Sequence, residues 1–425
     1  MTGFQHIEDV FNADGVKLTD IARDHQTPCY VYAHSLIKEN FLRLKNAFDD
    51  AMPDQAPLIA YACKANSSLA ILSSLAELGS GADIVSGGEM IRAIEAGIPP
   101  DKIVFSGVGK THEEIAAAID NNIAQINIES PAEMDLISRI ASDKQVKMRI
   151  SFRLNPDVDA KTHSKITTGK RDSKFGISAD IIRELYKKAA DDPCLDPLGI
   201  SVHIGSQLTT IEPFREAFTL LADFVRTLQY EDGQTIQTLD LGGGIGIIYD
   251  DETLFDLTEY VHLIREIIAP LGTKIILEPG RTLLGNAGLL LSRVLYFKQS
   301  GDKNFLVVDA GMTDFMRPSL YDAIHPVVPV VQHKGATKTY DIVGPVCESS
   351  DVLAKNVVLP AKLETPGSLV AFMMAGAYGS VMASLYNARA LPAEIMTKDG
   401  SAREIRTRVN VRDILARENI PDWSG

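Results

Sequence analysis

Short apolar runs recur along the first two thirds of the chain: "LIAYA" (58–62), "ADIVS" (82–86), "IVFSG" (103–107), "QINIE" (125–129), "MRISFRL" (148–154), "GISVHI" (199–204), "TLDLGG" (238–243) and "KIILEP" (274–279). Between them lie segments with helical periodicity, such as "GEMIRAIEAG" (88–97), "SADIIRELYKKAADD" (178–192) and "EPFREAFTLLADFVRTLQ" (212–229). Parallel strands buried on both faces read as near-continuous apolar runs, each followed by a helix that covers the sheet. Eight such units over roughly 220 residues predict a (β/α)8 barrel, a fold of about 250 residues. An open doubly wound sheet would gather its ligand signature at one switch point. Here the unusual polar residues end many different strands: Lys64, His203, the glycines at 242–244, and Glu278 with Arg281. That spread favours the barrel.

After about residue 285 the texture changes to short β-branched runs separated by turns, among them "GLLLSRVLYFKQ", "KNFLVVDAG", "HPVVPVVQ", "TKTYDIVGPV" and "GSLVAFMMAG". They predict an antiparallel β domain. The expected organisation is an α/β barrel at 28–284, a C-terminal antiparallel β domain at 285–425, and an N-terminal segment, 1–27, that joins the β domain. The stretch "VKLTDIARDHQTPCYVYAHS" (16–35) is a source of one of its strands.

Composition narrows the class without deciding it. With 45% hydrophobic and 23% charged residues, the chain reads as an ordinary globular enzyme. A net charge of −14 argues against nucleic acid and anionic membranes as partners. The acidic N-terminus, "MTGFQHIEDVFNADG", is not expected to be a secretory signal, and no run reaches the roughly 18 apolar residues of a membrane helix. The cysteines (Cys29, Cys63, Cys194, Cys347) are scattered with no metal-ligand spacing, so a reduced, cytoplasmic chain without a metal is expected.

The candidate chemistry sits where strands end. Lys64, in "PLIAYACKANSSLAIL", is an amine at a barrel mouth, able to capture an aldehyde as a Schiff base or simply to contact a phosphate. His203 is a hydrogen-bonded structural histidine or, sharing a mouth with Lys64, a flat ring that stacks on an aromatic cofactor. "LDLGGGIGI" (239–247) lets backbone N–H groups approach a phosphate, although its spacing is not that of G-x-G-x-x-G. In "ILEPGRTLLG" (276–285), Glu278 can pair with a pyridine nitrogen and Arg281 can clamp a carboxylate; the bland alternative is a Glu–Arg salt bridge. "IVGPVCESSD" (342–351) sets Cys347 beside acids, which suits a neutral thiol that donates a proton rather than a thiolate nucleophile. Tyr378, between glycines in "AGAYGSVMASLYN", either packs or reaches a phosphate. An aldehyde-capturing lysine, a stacking imidazole, a phosphate loop and a carboxylate for a ring nitrogen together are what pyridoxal phosphate requires.

At this point a family resemblance adds to the reading. "YACKAN", "VSGGEMIRAIEAGI", "FSGVGKT", "FRLNPDVDAKTHSKITTG", "SKFGI", "HIGSQ", "LDLGGGIGI", "EPGR" and "GPVCESSD" resemble the meso-diaminopimelate decarboxylases, pyridoxal-phosphate enzymes of the alanine-racemase-like barrel fold. The likeness runs from about residue 20 to about 390; Cys63 and Gln26 depart from the family pattern without touching the chemistry. The resemblance implies that Lys64 carries the cofactor covalently and His203 stacks on its ring. Gly243, Gly244 and the backbone from Glu278 through Gly280 to Arg281 would hold the phosphate, with the Glu278 side chain on the ring nitrogen. Arg281, Arg317 and Tyr321 would bind the substrate's distal carboxylate, and Glu348 its distal ammonium. Cys347, as proton donor, and Tyr378, touching phosphate and substrate, would come from a partner subunit, so a homodimer with shared active sites is implied. The implied reaction removes carbon dioxide from meso-diaminopimelate and returns a proton from Cys347, or alternatively Lys64, to give L-lysine. Decarboxylases of ornithine, lysine or arginine on the same fold, which commonly carry Asp where this chain has Glu348, are the nearest rivals. A racemase is disfavoured by Glu278, and a non-catalytic pyridoxal-phosphate carrier by the second domain with "CESSD".

Overall fold

In the computed structural model, residues 3–158 and 174–423 are described. Part of the motif "FRLNPDVDAKTHSKITTG" and the first residue of "SKFGI" therefore lie outside the described residues. The chain forms two units, Lys38–Leu283 and a second made of Met1–Ile37 with Leu284–Gly425.

The first unit is a closed barrel of eight parallel strands: Leu58–Ala62, Gly81–Ile84, Ile103–Phe105, Gln125–Ile128, Met148–Leu154, Leu195–Val202, Thr238–Asp240 and Lys274–Leu277. Every apolar run of the sequence supplies one strand, and the last strand closes on the first through Ile276 opposite Leu58. Helices cover the outside with the faces their periodicity dictates. Ala179–Asp191 buries Ile182, Leu185, Tyr186 and Ala189, and Glu212–Arg226 buries Phe214, Ala217, Phe218, Leu221 and Val225. Their starts are fixed chemically. The Ser86 and Ser130 hydroxyls accept from the Glu89 and Glu133 amides, and Thr111 with Glu114 forms a capping box. Each such cap is worth about 1 kcal/mol.

Inside the barrel the pleat alternates, so every second residue of a strand faces the axis. At the floor, Ala60, Val104 and Ile276 pack against Leu58. Above them the inward positions turn polar. Asn127 and Asp240 stand on strands that are not neighbours in the sheet, yet their side chains meet at 2.9 Å across the interior.

The second unit carries a three-stranded antiparallel sheet (Phe4–Ile7, Val10–Ala13, Val16–Lys17) and a nine-stranded sheet. The long strand Gly288–Ser300 organises the latter, pairing antiparallel with Cys29–Ala33, Leu369–Phe372 and Lys303–Val308. Phe11, Leu18, Ile21, Val31, Leu289, Leu291, Val330 and Ile395 fill its core. The sheet is mixed rather than purely antiparallel. Phe305–Val307 runs parallel to Asp341–Val343, and Cys29–Ala33 parallel to Ala393–Thr397. The strand foreseen in "VKLTDIARDHQTPCYVYAHS" is Cys29–Ala33. Because it is hydrogen-bonded into this sheet, the boundary between the units falls after Ile37 and not at residue 28.

Candidate active site

The barrel mouth holds a cavity of about 420 Å³ lined by Lys64, Ser106, Asn127, Arg153, His203, Asp240 and Glu278, with Val85, Gly107 and Phe175 among its walls. Lys64 lies in a short 3-10 turn, Cys63–Ala65, directly after its strand. Its Nζ donates to Asp83 Oδ2 at 2.9 Å, and the Asp83 side chain is fully buried. The ion pair fixes the amine where the strand ends.

Glu278 follows the last barrel strand and is 6% exposed. Burial first, then the negative charges of Asp240 and Asp83, push its carboxyl well above the usual range, and Lys64 opposes this only in part. It shares a hydrogen bond with Asp240, while Ser106 Oγ donates to its Oε1 at 3.4 Å. His203 is held well below its ordinary pKa by burial and by the positive charges of Lys64 and Arg153. The Gly243 N–H donates to its Nδ1 at 3.2 Å, which leaves the neutral ring's own proton on Nε2.

The glycine run is dictated by close packing as well as by any ligand. A Cβ at Gly243 would lie 2.2 Å from the Glu278 carbonyl oxygen. Gly244 adopts φ +108°, a left-handed conformation that side chains disfavour. Gly280 is buried, and its carbonyl accepts from Leu283 N–H at the short helix that Arg281 opens. Arg281 is itself buried, donating to Tyr249 Oη at 2.6 Å and Ser206 Oγ at 3.1 Å. Lys64, His203, Gly243, Gly244, Glu278, Gly280 and Arg281 thus all belong to the barrel unit.

The remaining candidates belong to the second unit. Arg317 opens the helix Arg317–Tyr321, is buried, lies 5.8 Å from the Tyr321 ring and donates to His325 Nε2 at 3.2 Å. The His325 Nδ1–H in turn reaches the Met373 carbonyl at 2.9 Å. Cys347 and Glu348 stand on an exposed loop. That loop is shaped by buried Asp351, whose two carboxylate oxygens accept from Met312 N–H (2.6 Å) and Val346 N–H (2.7 Å). Asn387 Oδ1 accepts from the Cys347 N–H, and Tyr386 Oη donates to Glu348 at 3.3 Å. Tyr378 has φ +56° in the "AGAYG" turn. The preceding glycine is required sterically, since a Cβ at Gly376 would sit 1.9 Å from the Leu284 carbonyl oxygen.

Sequence reasoning missed the buried polar groups that hold these residues: Asp83, Ser106, Asn127, Asp240, Tyr249 and His325. Arg153 with Glu129 (2.6 Å) and Lys110 with Glu133 (2.7 Å) are further buried ion pairs of the barrel unit. The available signal was period two. Gln125, Asn127 and Glu129 alternate with Ile126 and Ile128, and Thr238 and Asp240 flank Leu239, which places all the polar members on one face of their strands.

The residues fit pyridoxal phosphate on structural grounds. An amine and a neutral imidazole share a cavity with a buried carboxyl that among the described residues has no cation hydrogen-bonded to it, beside a glycine turn that admits only backbone. Comparisons with known proteins agree. The family model described as pyridoxal-dependent decarboxylase, pyridoxal binding domain, matches residues 35–285. The chain is 44% identical to diaminopimelate decarboxylase of Zymomonas mobilis over 96% of its own length and 97% of the relative's. The structure of diaminopimelate decarboxylase from Helicobacter pylori complexed with L-lysine superposes with a TM-score of 0.89 at 42% identity, covering 94% of this chain and 98% of that one. That of the M. jannaschii enzyme in co-complex with L-lysine gives 0.93 at 36% identity, covering 99% and 98%. On this evidence the chain belongs to the pyridoxal-dependent decarboxylases and, within them, to the diaminopimelate decarboxylase family.

Proposed function

We propose that this protein decarboxylates meso-diaminopimelate to L-lysine and carbon dioxide with pyridoxal phosphate held by Lys64, completing lysine biosynthesis in the cytoplasm. The observation that carries the proposal is the barrel-mouth cavity, which sets the Lys64 amine and the Glu278 carboxyl on one space with His203 between charged neighbours. When bound, the cofactor supplies a protonated ring that accepts the electron pair left as carbon dioxide departs.

The chain's own residues do the rest. Asp83 orients the Lys64 amine toward the aldehyde it must capture. Neutral His203 offers a flat, uncharged face to the ring. Glu278 meets the ring nitrogen, and Gly243, Gly244 and the backbone of residues 278–281 hold the phosphate. Arg317 and Arg281, with Tyr321, bind the distal carboxylate, which Arg suits through two parallel hydrogen bonds. Glu348 receives the distal ammonium, and its longer arm separates this substrate from one that lacks a second carboxylate. Cys347 Sγ returns the proton to Cα, with the Lys64 amine as the alternative donor.

Cys347, exposed on the single chain, and Tyr378 would complete the site of a second copy in a homodimer, and the exposure of Cys347 supports this. Mixing Lys64→Ala with Cys347→Ala tests this. Random reassortment puts two intact halves together in one of the two sites of each heterodimer, restoring about a quarter of full activity. No restoration after subunit exchange would place both residues in one chain's site.

The function itself is tested by carbon dioxide release from the pyridoxal-phosphate-loaded protein given meso-diaminopimelate, L-ornithine, L-lysine or L-arginine in turn. Turnover of meso-diaminopimelate alone, lost in Lys64→Ala, is expected. Turnover of another diamino acid instead would overturn the substrate, and binding of cofactor with no turnover of any would make the chain a carrier.

A further inference from the structure

The polar groups inside the barrel form one chain whose donors and acceptors are all assigned. Thr238 Oγ donates to Gln125 Oε1 at 3.2 Å, and Gln125 Nε2 donates to Asn127 Oδ1 at 2.9 Å. With its oxygen so occupied, Asn127 turns its NH2 outward. One contact goes to Asp240 Oδ2 at 2.9 Å and the other to Ser106 Oγ at 3.0 Å. The Gly242 N–H donates to the other Asp240 oxygen at 3.0 Å. Ser106, having accepted from Asn127, spends its own proton on Glu278. All the side chains are at least nine-tenths buried.

This pattern settles an asymmetry between two carboxyl groups. Both oxygens of Asp240 receive N–H donors, which favour its ionised form, whereas Glu278, besides the bond it shares with Asp240, receives among the described residues a long contact from the Ser106 hydroxyl. Two carboxylates in hydrogen-bond contact inside a protein cannot both ionise, and the bond between them needs one proton. We propose that Asn127, oriented by Gln125, is a positioning residue that keeps Asp240 ionised and so places the pair's shared proton on Glu278 in the cofactor-free protein. The other charged groups facing Glu278 are Asp83 and Lys64, which are paired with each other. Burial raises both carboxyl groups, but for Asp240 the bonds from Glu278, Asn127 and the Gly242 N–H oppose it, whereas for Glu278 the charges of Asp240 and Asp83 add to it and push it well above the usual range. Amide groups donate hydrogen bonds but do not pass protons on, so the chain fixes the proton rather than conducting it away.

The consequence for cofactor binding rests on the function proposed above. Glu278 would give up its proton as a ring nitrogen docks, to the nitrogen itself if it arrives unprotonated and to solvent if it arrives protonated. In both cases the positive charge at the nitrogen would balance the Glu278 carboxylate, while Asn127 and Gly242 hold the second negative charge at Asp240.

The test needs no turnover. Infrared spectra of the cofactor-free protein are recorded at about pH 8.5, above Glu89 at about 7 and Asp314 at about 6, so that neither contributes a carboxylic-acid band. With ¹³C-labelled glutamate the remaining acid C=O band shifts; with ¹³C-labelled aspartate it does not, and Glu278→Gln removes it. In Asn127→Leu the band moves to the aspartate label, which a residue that merely packs would not cause. In Ser106→Ala, which keeps the Asn127–Asp240 bond, it stays with glutamate. A wild-type band that follows aspartate, or no band sensitive to Glu278→Gln, overturns the proposal without reference to any variant at 127. Adding pyridoxal phosphate abolishes the band. If the band behaves as stated but no cofactor absorbance develops, the proton assignment stands and the cofactor reading fails.

Discussion

The two units hold their candidate residues in opposite ways. In the barrel the charged groups are buried, or half-buried in the case of Lys64, and answer one another: Lys64 to Asp83, Arg153 to Glu129, Asp240 to Glu278. In the β unit Cys347 and Glu348 stand on an exposed loop, braced from behind by Asp351 and Asn387. Burial makes electrostatics strong and proton positions exact to one oxygen or another, which suits control of a cofactor. An exposed loop on a rigid scaffold is where specificity is changed at little structural cost. On the proposed function, the placed charges that control the cofactor belong to the barrel, and the exposed loop of the β unit brings the proton donor Cys347 and a contact for the substrate's far end. Arg317 differs from that loop in being buried, with its guanidinium aimed by His325.

Substitutions can break or sharpen this division. Cys347→Ala has the largest expected effect, since loss of a positioned proton donor costs about 10²–10⁴-fold in kcat. Cofactor absorbance should be unchanged; an altered spectrum would mean that the loop also governs the ring. Glu348→Asp shortens the arm on the distal ammonium and should raise KM for meso-diaminopimelate by about tenfold, with kcat changed far less. An equal fall in kcat would move Glu348 from recognition into chemistry.

Glu89 gives the smallest effect, on the barrel side. Burial, with Asp83 adding to it, pushes its carboxyl up to about 7 from an ordinary 4.5. Between those values the folded chain binds the extra proton. The stabilisation is therefore complete at the acid end and lost as pH rises through about 7. In the cofactor-free protein, Glu89→Gln should match the parent near the acid end and become the more stable of the two by about pH 8. The difference should be on the order of 1 kcal/mol in denaturant unfolding. A difference that does not grow with pH would contradict the burial of this group.

The same contrast shows what the sequence discloses. The eight strands are legible because parallel strands leave apolar runs, and Lys64, His203 and Glu278 are legible because they interrupt those runs where strands end. Asn127 and Asp240 share a period-two polar face with Gln125 and Thr238 in their strands, so the face is legible. Their meeting depends on closure of the barrel, which no local pattern announces. Asp83 is hidden in "ADIVS" for the same reason. In the β unit, the parallel pairing of Cys29–Ala33 with Ala393–Thr397 joins opposite ends of the chain, so a run of short strands separated by turns reads as antiparallel throughout. The bracing of Arg317 by His325 is likewise tertiary: the resemblance points to Arg317, but nothing in the sequence marks His325.

The division of labour is tested most directly by Arg317→Met, assayed for cofactor absorbance and for carbon dioxide release from meso-diaminopimelate. Loss of a charge-assisted pair with the distal carboxylate should lower kcat/KM by about 10- to 100-fold, mostly through KM, with the cofactor spectrum and its binding intact. Cofactor binding lost along with turnover, or turnover of meso-diaminopimelate left untouched, would contradict the account.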